Sequence, residues 1–222
     1  MAAGSATKDI EEDDDEPTLS AHALQALKEF MSEQSTAAEG EPAEVRLMAE
    51  DWRLSQFWYD QETAVTIAEE IRRLSASTFS PVACVACPTI YAYLKKTSPQ
   101  IPVQLLEYDR RFEQYGRDYT IYDYNLPEEL PTEFRHAFRV VIADPPYLSK
   151  ECLEKVAQTI SYLAQEEDYY ILLLTGEVQK ERAAELLKVF PCGFRPQHSN
   201  KLGNEFRLFT SYDPAERLGC WE

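Results

Sequence analysis

One buried strand that stops abruptly is the feature that most constrains the fold of this chain. Residues 140–142 read Val-Val-Ile, a β-branched run typical of a strand covered on both faces of a parallel sheet. Asp144 then places a carboxylate at the end of this run, and Pro145 and Pro146 exclude both helix and further strand pairing. Tyr147 adds an aromatic ring. Because ligands in open α/β sheets bind outside the carboxyl ends of the strands, this stretch predicts a reaction site.

The rest of the chain alternates between strand-like and helix-like patterns. The other predicted strands are residues 82–86, 103–106, 119–122 and 169–174. The predicted helices are residues 62–74, 89–96, 151–165 and 177–189. Such alternation predicts parallel βαβ units with right-handed crossovers, and therefore a three-layer α/β sandwich. Residues 193–198 and 205–212 are predicted to form a hairpin that adds one antiparallel strand at the edge of the sheet.

The first 50 residues differ in composition from the remainder. We expect residues 1–17 to be a disordered acidic tail, residues 18–50 to hold a short amphipathic helix and a linker, and residues 51–222 to form the folded domain. The apolar stripe of the short helix packs on that domain or, alternatively, binds a partner. Five cysteines without a secretory signal predict reduced thiols in an intracellular protein.

The charge of the chain argues against nucleic acid as its main partner. The chain has 39 acidic and 22 basic residues; residues 1–50 hold 13 and 3 of these, so residues 51–222 hold 26 and 19. Proteins that bind DNA or RNA draw most of their affinity from Lys and Arg, so an acidic folded domain favours a basic protein partner instead. The longest apolar runs are strand-sized, far below the roughly 18 residues that a membrane-spanning helix needs.

The ends of the first two strands suggest a nucleotide-like cofactor. Glu107 or Asp109, just after the second strand, could accept hydrogen bonds from both hydroxyls of a ribose, although either could also be a surface carboxylate. Where a glycine-rich phosphate loop would follow the first strand, residues 82–89 contain small residues but no glycine. The small side chain of Ala86 would still let a cofactor approach the backbone closely. Because the glycines of a phosphate loop are missing, the cofactor is expected to lack phosphates.

Other chemical motifs are weaker. After the third strand, Asp123 and Tyr124 could bind and stack on an adenine ring, or belong to a tyrosine-rich loop that packs on the sheet. Cys84 and Cys87 have Cys-x-x-Cys spacing but no second ligand pair at similar spacing, which indicates buried thiols rather than a metal or redox site. The three histidines form no motif with a serine or cysteine nucleophile, so nothing indicates a hydrolase.

Six stretches of the chain occur in a characteristic order. They are residues 54–59 (Leu-Ser-Gln-Phe-Trp-Tyr), 61–64 (Gln-Glu-Thr-Ala), 107–109 (Glu-Tyr-Asp), 122–125 (Tyr-Asp-Tyr-Asn), 144–147 (Asp-Pro-Pro-Tyr) and 204–207 (Asn-Glu-Phe-Arg). Together they resemble the elongation factor 1-alpha lysine methyltransferase family, which was first described as putative N6-adenine DNA methyltransferases because of the Asp-Pro-Pro-Tyr tetrapeptide. The resemblance covers residues 17–213. It implies a seven-strand class I (Rossmann-like) methyltransferase sheet, S-adenosyl-L-methionine as cofactor and no metal.

The resemblance also implies roles at the rim of the site. Phe57, Trp58 and Tyr59 are expected to cover the methionine end of the cofactor, or alternatively to form a plain interface with the N-terminal helix. Asn204 and Phe206 are expected to contact the substrate.

The chemistry of amine methylation fits the tetrapeptide. Transfer requires a nitrogen lone pair aimed at a sulfonium methyl, so the enzyme mainly positions the amine. Asp144 can accept one N–H and the carbonyl of Pro145 another. Pro146 and Tyr147 are expected to contact the substrate, and the Tyr147 ring can stabilise the developing ammonium by a cation–π attraction of about 0.5–2 kcal/mol.

We therefore expect a cytoplasmic, monomeric protein-lysine N-methyltransferase that acts on translation elongation factor 1-alpha, without stable nucleic-acid or membrane binding. One alternative is a methyltransferase acting on adenine in DNA or RNA, with Tyr147 stacking on a flipped base. Another is a catalytically inactive adaptor that binds partners through its acidic N-terminal region.

Overall fold

The structure, a computed structural model, describes residues 47–76, 80–200 and 205–222. Its strands form one sheet: β1 Val82–Val85, β2 Val103–Glu107, β3 Tyr119–Ile121, β4 Val140–Ala143, β5 Tyr170–Gly176, β6 Phe190–Pro191 and β7 Phe206–Thr210. Their order across the sheet is β3-β2-β1-β4-β5-β7-β6. β1 to β5 pair in parallel, whereas β7 runs antiparallel to both of its neighbours. The predicted mostly parallel, seven-strand α/β sheet with one antiparallel strand near the C-terminus is confirmed.

Helices flank the sheet, and local sequence explains where they begin. The α-helices of the described residues are α1 Gln61–Ser75, α2 Pro88–Thr97, α3 Lys150–Leu163 and α4 Lys180–Leu187. Asp60 caps α1 by accepting a hydrogen bond from the backbone N–H of Thr63 at 2.8 Å. Ser149 caps α3 in the same way, through the N–H of Cys152 at 3.1 Å. Pro88 starts α2, where its missing N–H costs nothing.

The central strands are buried on both faces, as the apolar run predicts. All four residues of β1 and of β4 are buried. On one face, Val82 and Ile142 belong to a core cluster that includes apolar residues of α1 and α2. On the other face, Val85 and Val141 pack in a cluster that includes residues of α3 and α4. This arrangement is the predicted three-layer sandwich, and it fixes the carboxyl ends of β1 and β4 side by side.

The C-terminal hairpin prediction is wrong. Residues 206–210 do form a strand, but β7 pairs with β5 and with the two-residue strand β6, and it lies inside the sheet rather than at its edge. Residues 193–198 form no strand beyond an isolated bridge from His198 to Tyr59. Pro196 within that segment lacks the N–H that a ladder requires, which weakens its pairing as a strand.

The predicted N-terminal regions are mostly outside the described residues. The acidic tail at 1–17 and the amphipathic helix lie there entirely, and only residues 47–50 of the predicted segment 18–50 are described. Leu47 and Met48 pack against the core cluster on the α1 face. No helix within the described ranges is long and apolar enough to cross a membrane.

Candidate active site

A cavity of about 580 Å³ opens at the carboxyl ends of the central strands. The strand order of the sheet reverses at β1, because β2 lies on one side of it and β4 on the other. Open α/β sheets bind ligands outside the carboxyl ends of the strands at such a point. Twelve predicted site residues line the cavity: Phe57, Trp58, Tyr59, Ala86, Glu107, Asp123, Tyr124, Asp144, Pro145, Pro146, Tyr147 and Phe206. Asp109 is not part of the lining, and Asn204 lies outside the described residues. The individual roles of these residues stay predictions.

Ala86 turns the chain sharply after β1 and replaces the missing glycine loop. Its φ of 53° lies in the left-handed region, which favours glycine and costs other residues roughly 1–3 kcal/mol. The N–H of Ala86 donates to the carbonyl of Leu106 at 2.8 Å, so the turn stays attached to β2. Cys87 follows, and α2 begins at Pro88. A small side chain at this turn leaves the backbone accessible from the cavity.

The two acids proposed to bind a ribose, Glu107 and Asp109, have different surroundings in the structure. Glu107 lines the cavity, and its carboxylate accepts the N–H of Asp109 at 3.0 Å. Burial raises the pKa of Glu107 to about 7. Asp109 instead accepts hydrogen bonds from Gln56 at 2.9 Å and from Arg111 at 2.6 Å. Burial raises the pKa of Asp109, but these hydrogen bonds outweigh burial and hold the pKa below its ordinary value. Glu107 is therefore the acid available to a ligand.

Residues 47–60 form an irregular strap with one 3₁₀ turn, Trp52–Leu54, and residues 54–59 of this strap line the cavity. The side chain of Glu50 accepts the N–H of Trp58 at 2.8 Å, and the indole of Trp58 donates to the carbonyl of Met48 at 2.8 Å. Arg111 reaches the carbonyl of Ala49 at 3.2 Å. Asp109 thus anchors this strap, through Arg111 and Gln56, to the end of β2.

Asp144 ends β4 at the wall of the cavity. Its backbone N–H donates to the carbonyl of Val85 at 3.0 Å, which holds it beside the turn after β1. Burial of the carboxyl, together with the nearby charge of Glu107, raises the pKa of Asp144 to about 8. The residue keeps some accessible surface, on a side chain that lines the cavity. A carboxyl in this state changes protonation close to physiological pH.

An aromatic pair lies next to Asp144. Tyr147 is 46% exposed, and its ring packs edge to face on the ring of Tyr124, with 6.0 Å between the two ring centroids. Gln179 fixes the backbone behind the tetrapeptide because its side-chain amide donates to the carbonyl of Leu148 at 2.8 Å. The cavity therefore presents a carboxyl group and two aromatic rings to a ligand.

Several residues of the lining were given no site role from the sequence, and Gln56, Cys87 and His198 are the chemically notable ones among them. Gln56 lies within the quoted stretch at 54–59 but was given no role, and Cys87 was interpreted only as a buried thiol. His198, which also lines the cavity, stacks on Tyr59 at 4.4 Å. Burial lowers the pKa of His198 to about 4, so the ring is neutral at physiological pH. No group of three or more metal-ligating side chains occurs in the described part of the chain.

Comparison with known sequences identifies the family. A family model described as "Probable N6-adenine methyltransferase" matches residues 50–214. EEF1A lysine methyltransferase 1 of Homo sapiens is 44% identical over 94% of this chain and 97% of its own length. The chain belongs to the EEF1A lysine methyltransferase family. A protein-lysine N-methyltransferase of Caenorhabditis elegans is 38% identical over 90% of this chain and 95% of its own. The resemblance seen in the sequence is thus confirmed, and the chain is a methyltransferase.

A solved structure agrees with the fold. The C9 mutein of the branched-chain polyamine synthase from Thermus thermophilus superimposes with a TM-score of 0.56 at 15% identity. The match covers 84% of this chain and 62% of that chain, so this chain spans less than two thirds of its length. At this level of identity the likeness concerns the fold alone.

Proposed function

We propose that this protein is an S-adenosyl-L-methionine-dependent protein-lysine N-methyltransferase whose substrate is translation elongation factor 1-alpha. The observation that carries the proposal is the cavity that brings Asp144, Pro145 and Tyr147 of one strand end to Glu107 of another. Relatives named EEF1A lysine methyltransferase 1 support the same activity and substrate. An amine and a nucleoside-like cofactor can meet at this edge of the sheet.

The donors and acceptors of the cavity fit S-adenosyl-L-methionine. Glu107 is an acceptor-only carboxylate when ionised and can take both hydroxyl donors of a ribose. The turn at Ala86 exposes backbone without a phosphate-binding glycine pattern, as suits a cofactor without phosphates. Asp123 and Tyr124 line the cavity and would bind the adenine, and residues 57–59 line it and would cover the methionine end. The cavity volume of about 580 Å³ lies within the range of roughly 300–1,000 Å³ that small-molecule sites occupy.

Asp144 and Pro145 position the substrate nitrogen. The cofactor supplies an electrophilic methyl on a sulfonium. The Asp144 carboxylate accepts one N–H of the neutral lysine amine, and the Pro145 carbonyl accepts another, which directs the lone pair toward the methyl. The lysine proton leaves to water before transfer. Because burial raises the pKa of Asp144 to about 8, its accepting form increases with pH across the physiological range.

Tyr147 and Tyr124 stabilise the charge that develops on the nitrogen. The nitrogen becomes a cation as it bonds to the methyl carbon while the carbon–sulfur bond breaks and the electron pair stays on sulfur as a neutral thioether. An aromatic face attracts such a cation by about 0.5–2 kcal/mol. The edge-to-face contact at 6.0 Å holds Tyr147 although nearly half of the side chain is exposed. The pair would also give the apolar stem of a lysine an aromatic wall to pack on.

The charge of the chain supports a protein substrate over a nucleic acid. Residues 51–222 hold 26 acidic and 19 basic residues, from totals of 39 and 22, and such a surface repels phosphate.

We further propose that the protein is a monomer in the cytoplasm. Its cysteines are unpaired, and Cys84, Cys87, Cys152 and Cys192 are buried, as suits a reducing compartment. Cell fractionation and analytical ultracentrifugation test these two assignments.

Transfer of a labelled methyl group tests the activity. The protein is incubated with labelled cofactor in parallel reactions, each of which contains one acceptor. The acceptors are purified elongation factor 1-alpha, the same factor with its lysines blocked, DNA oligonucleotides and RNA oligonucleotides. The proposal expects label on the unblocked factor alone, located on a lysine by mass spectrometry. Label on the oligonucleotides instead would support the adenine methyltransferase that the family model's description suggests. Label nowhere would support the inactive adaptor.

A further inference from the structure

The hydroxyl of Tyr59 is buried in the wall of the cavity without an aligned hydrogen-bond partner in the described part of the chain. Tyr59 is only 4% exposed, and its hydroxyl oxygen is inaccessible to water. Native proteins pair nearly all buried polar groups, so an orphaned hydroxyl in a cavity wall calls for a functional explanation. The candidate partner is Asp144, because it lines the same cavity as Tyr59 and the two groups act on each other's pKa.

The ring of Tyr59 is held firmly in place. It stacks on the ring of His198 with 4.4 Å between the ring centroids. The His198 ring in turn packs edge to face on Phe206, with 4.7 Å between their centroids. The backbone around it is also fixed, since the N–H of Ser199 donates to the carbonyl of Trp58 at 2.8 Å. The carboxylate of an aspartate, by contrast, rotates over a broad torsional range. Rotation of the Asp144 carboxylate is therefore the movement that can bring the two groups into a hydrogen bond.

We propose that Tyr59 is a positioning residue for amine methylation: its hydroxyl donates a hydrogen bond to one carboxylate oxygen of Asp144 and leaves the other oxygen facing the substrate nitrogen. This inference rests on the proposed function, and it gives Tyr59 a task distinct from covering the cofactor. A fixed carboxylate aims the nitrogen lone pair, whereas a freely rotating one does not.

The hydrogen bond also bears on the charge of Asp144. Tyr59 in the strap and Glu107 at the end of β2 act on this carboxyl, and Asp144 in turn raises the pKa of the thiols of Cys87 and Cys152. Burial and Glu107 raise the pKa of Asp144, and the Tyr59 hydroxyl lowers it. Removing that hydroxyl raises the pKa further, so less of the carboxyl is ionised at any pH below the new value.

Kinetics of the full-length protein with elongation factor 1-alpha test the inference. Tyr59→Phe is expected to lower kcat roughly tenfold, the effect of losing one hydrogen bond to a charged group, while cofactor affinity stays within about twofold. The acidic limb of the kcat profile should move to higher pH by about one unit. Tyr91→Phe is the matched control, since Tyr91 is buried and its hydroxyl donates to Asp118 at 3.3 Å, away from the cavity. An unchanged kcat and pH profile in Tyr59→Phe would overturn the inference.

A second measurement does not depend on activity. ¹³C-NMR titration of aspartate carboxyls in the ligand-free protein, with the Asp144 signal assigned through Asp144→Asn, reports the pKa directly. The inference expects a higher pKa for Asp144 in Tyr59→Phe than in the wild type, and an equal or lower value would refute it. If wild-type protein methylates no lysine, the proposed function fails, while this titration still decides the Tyr59–Asp144 contact.

Replacement of Tyr59 by 3-fluorotyrosine covers the case in which Tyr59→Phe does not fold. The fluorinated phenol is more acidic and donates a stronger hydrogen bond with little change in shape. The inference expects the pKa of Asp144 to fall, opposite to the change in Tyr59→Phe. A pKa that does not fall would contradict it.

Discussion

Glu107→Gln should stabilise the ligand-free protein and weaken cofactor binding at the same time. Burial raises the pKa of Glu107 from 4.5 to about 7, so ionising this carboxyl costs the folded state free energy. The folded protein binds the proton more tightly than the unfolded chain does. The free energy of unfolding therefore falls as pH rises from 4.5 to about 7 and is constant above that window.

The magnitude follows from the size of the shift. A difference of about 2.5 pKa units, at about 1.4 kcal/mol per unit, makes the wild type roughly 3 kcal/mol less stable at pH 8 than the same protein without this charge. Glutamine keeps the shape and removes the charge. Urea unfolding should show Glu107→Gln more stable than wild type by roughly 2–3 kcal/mol at pH 8, and a smaller difference at pH 5.

Cofactor affinity should change in the opposite direction. Losing one charge-assisted hydrogen bond to a ribose hydroxyl costs about 1.5–3 kcal/mol, which weakens binding roughly 10- to 150-fold at pH 8. Isothermal titration with S-adenosylhomocysteine measures this change. Asp109→Asn is the matched control, because Asp109 pairs with Arg111 outside the cavity and should affect affinity less. A Glu107→Gln protein with wild-type affinity and no gain in stability at pH 8 would refute both the buried charge and the ribose contact.

Substitutions at three other positions test the rest of the site. Asp144→Asn should abolish methyl transfer while the Kd for S-adenosylhomocysteine stays within a few-fold; measurable transfer at alkaline pH would remove Asp144 from the chemistry. Tyr147→Phe should keep kcat within a few-fold, whereas Tyr147→Ala should lower it about 2- to 30-fold, the range of a cation–π contact. Equal rates in these two variants would contradict that role. Asp109→Asn should lower the free energy of unfolding by about 1 kcal/mol, since it weakens the hydrogen bonds of Gln56 and Arg111, with denaturant unfolding as the measurement.

The sequence predicted those parts of the fold that depend on local patterns. β1 and β4 are apolar runs ended by turn residues, and α1 and α3 have caps and a regular apolar stripe. The position of β7 depends instead on which distant strand it joins, and a two-residue strand such as β6 leaves no periodic pattern to recognise.

The candidate site shows the same division. Asp144 was predicted because a strand end followed by two prolines is visible locally. The choice between Glu107 and Asp109 was not possible from sequence, since the residues stand two positions apart. It depends on Gln56, which is 53 residues away, and on a 3₁₀ helix that Asp109 caps. His198 was missed because its partner, Tyr59, is remote in the chain.

The position of β7 has a consequence for the order of folding. β6 pairs only with β7 among the described strands, so residues 190–191 cannot join the sheet during synthesis until residues 206–210 have emerged. The same late segment supplies Phe206, which packs on His198 and lines the cavity. A chain whose residues 206–210 have not yet emerged can pair β1 to β5 but lacks this wall of the pocket. Any ligand that needs the contact with Phe206 can therefore bind only after β7 has emerged.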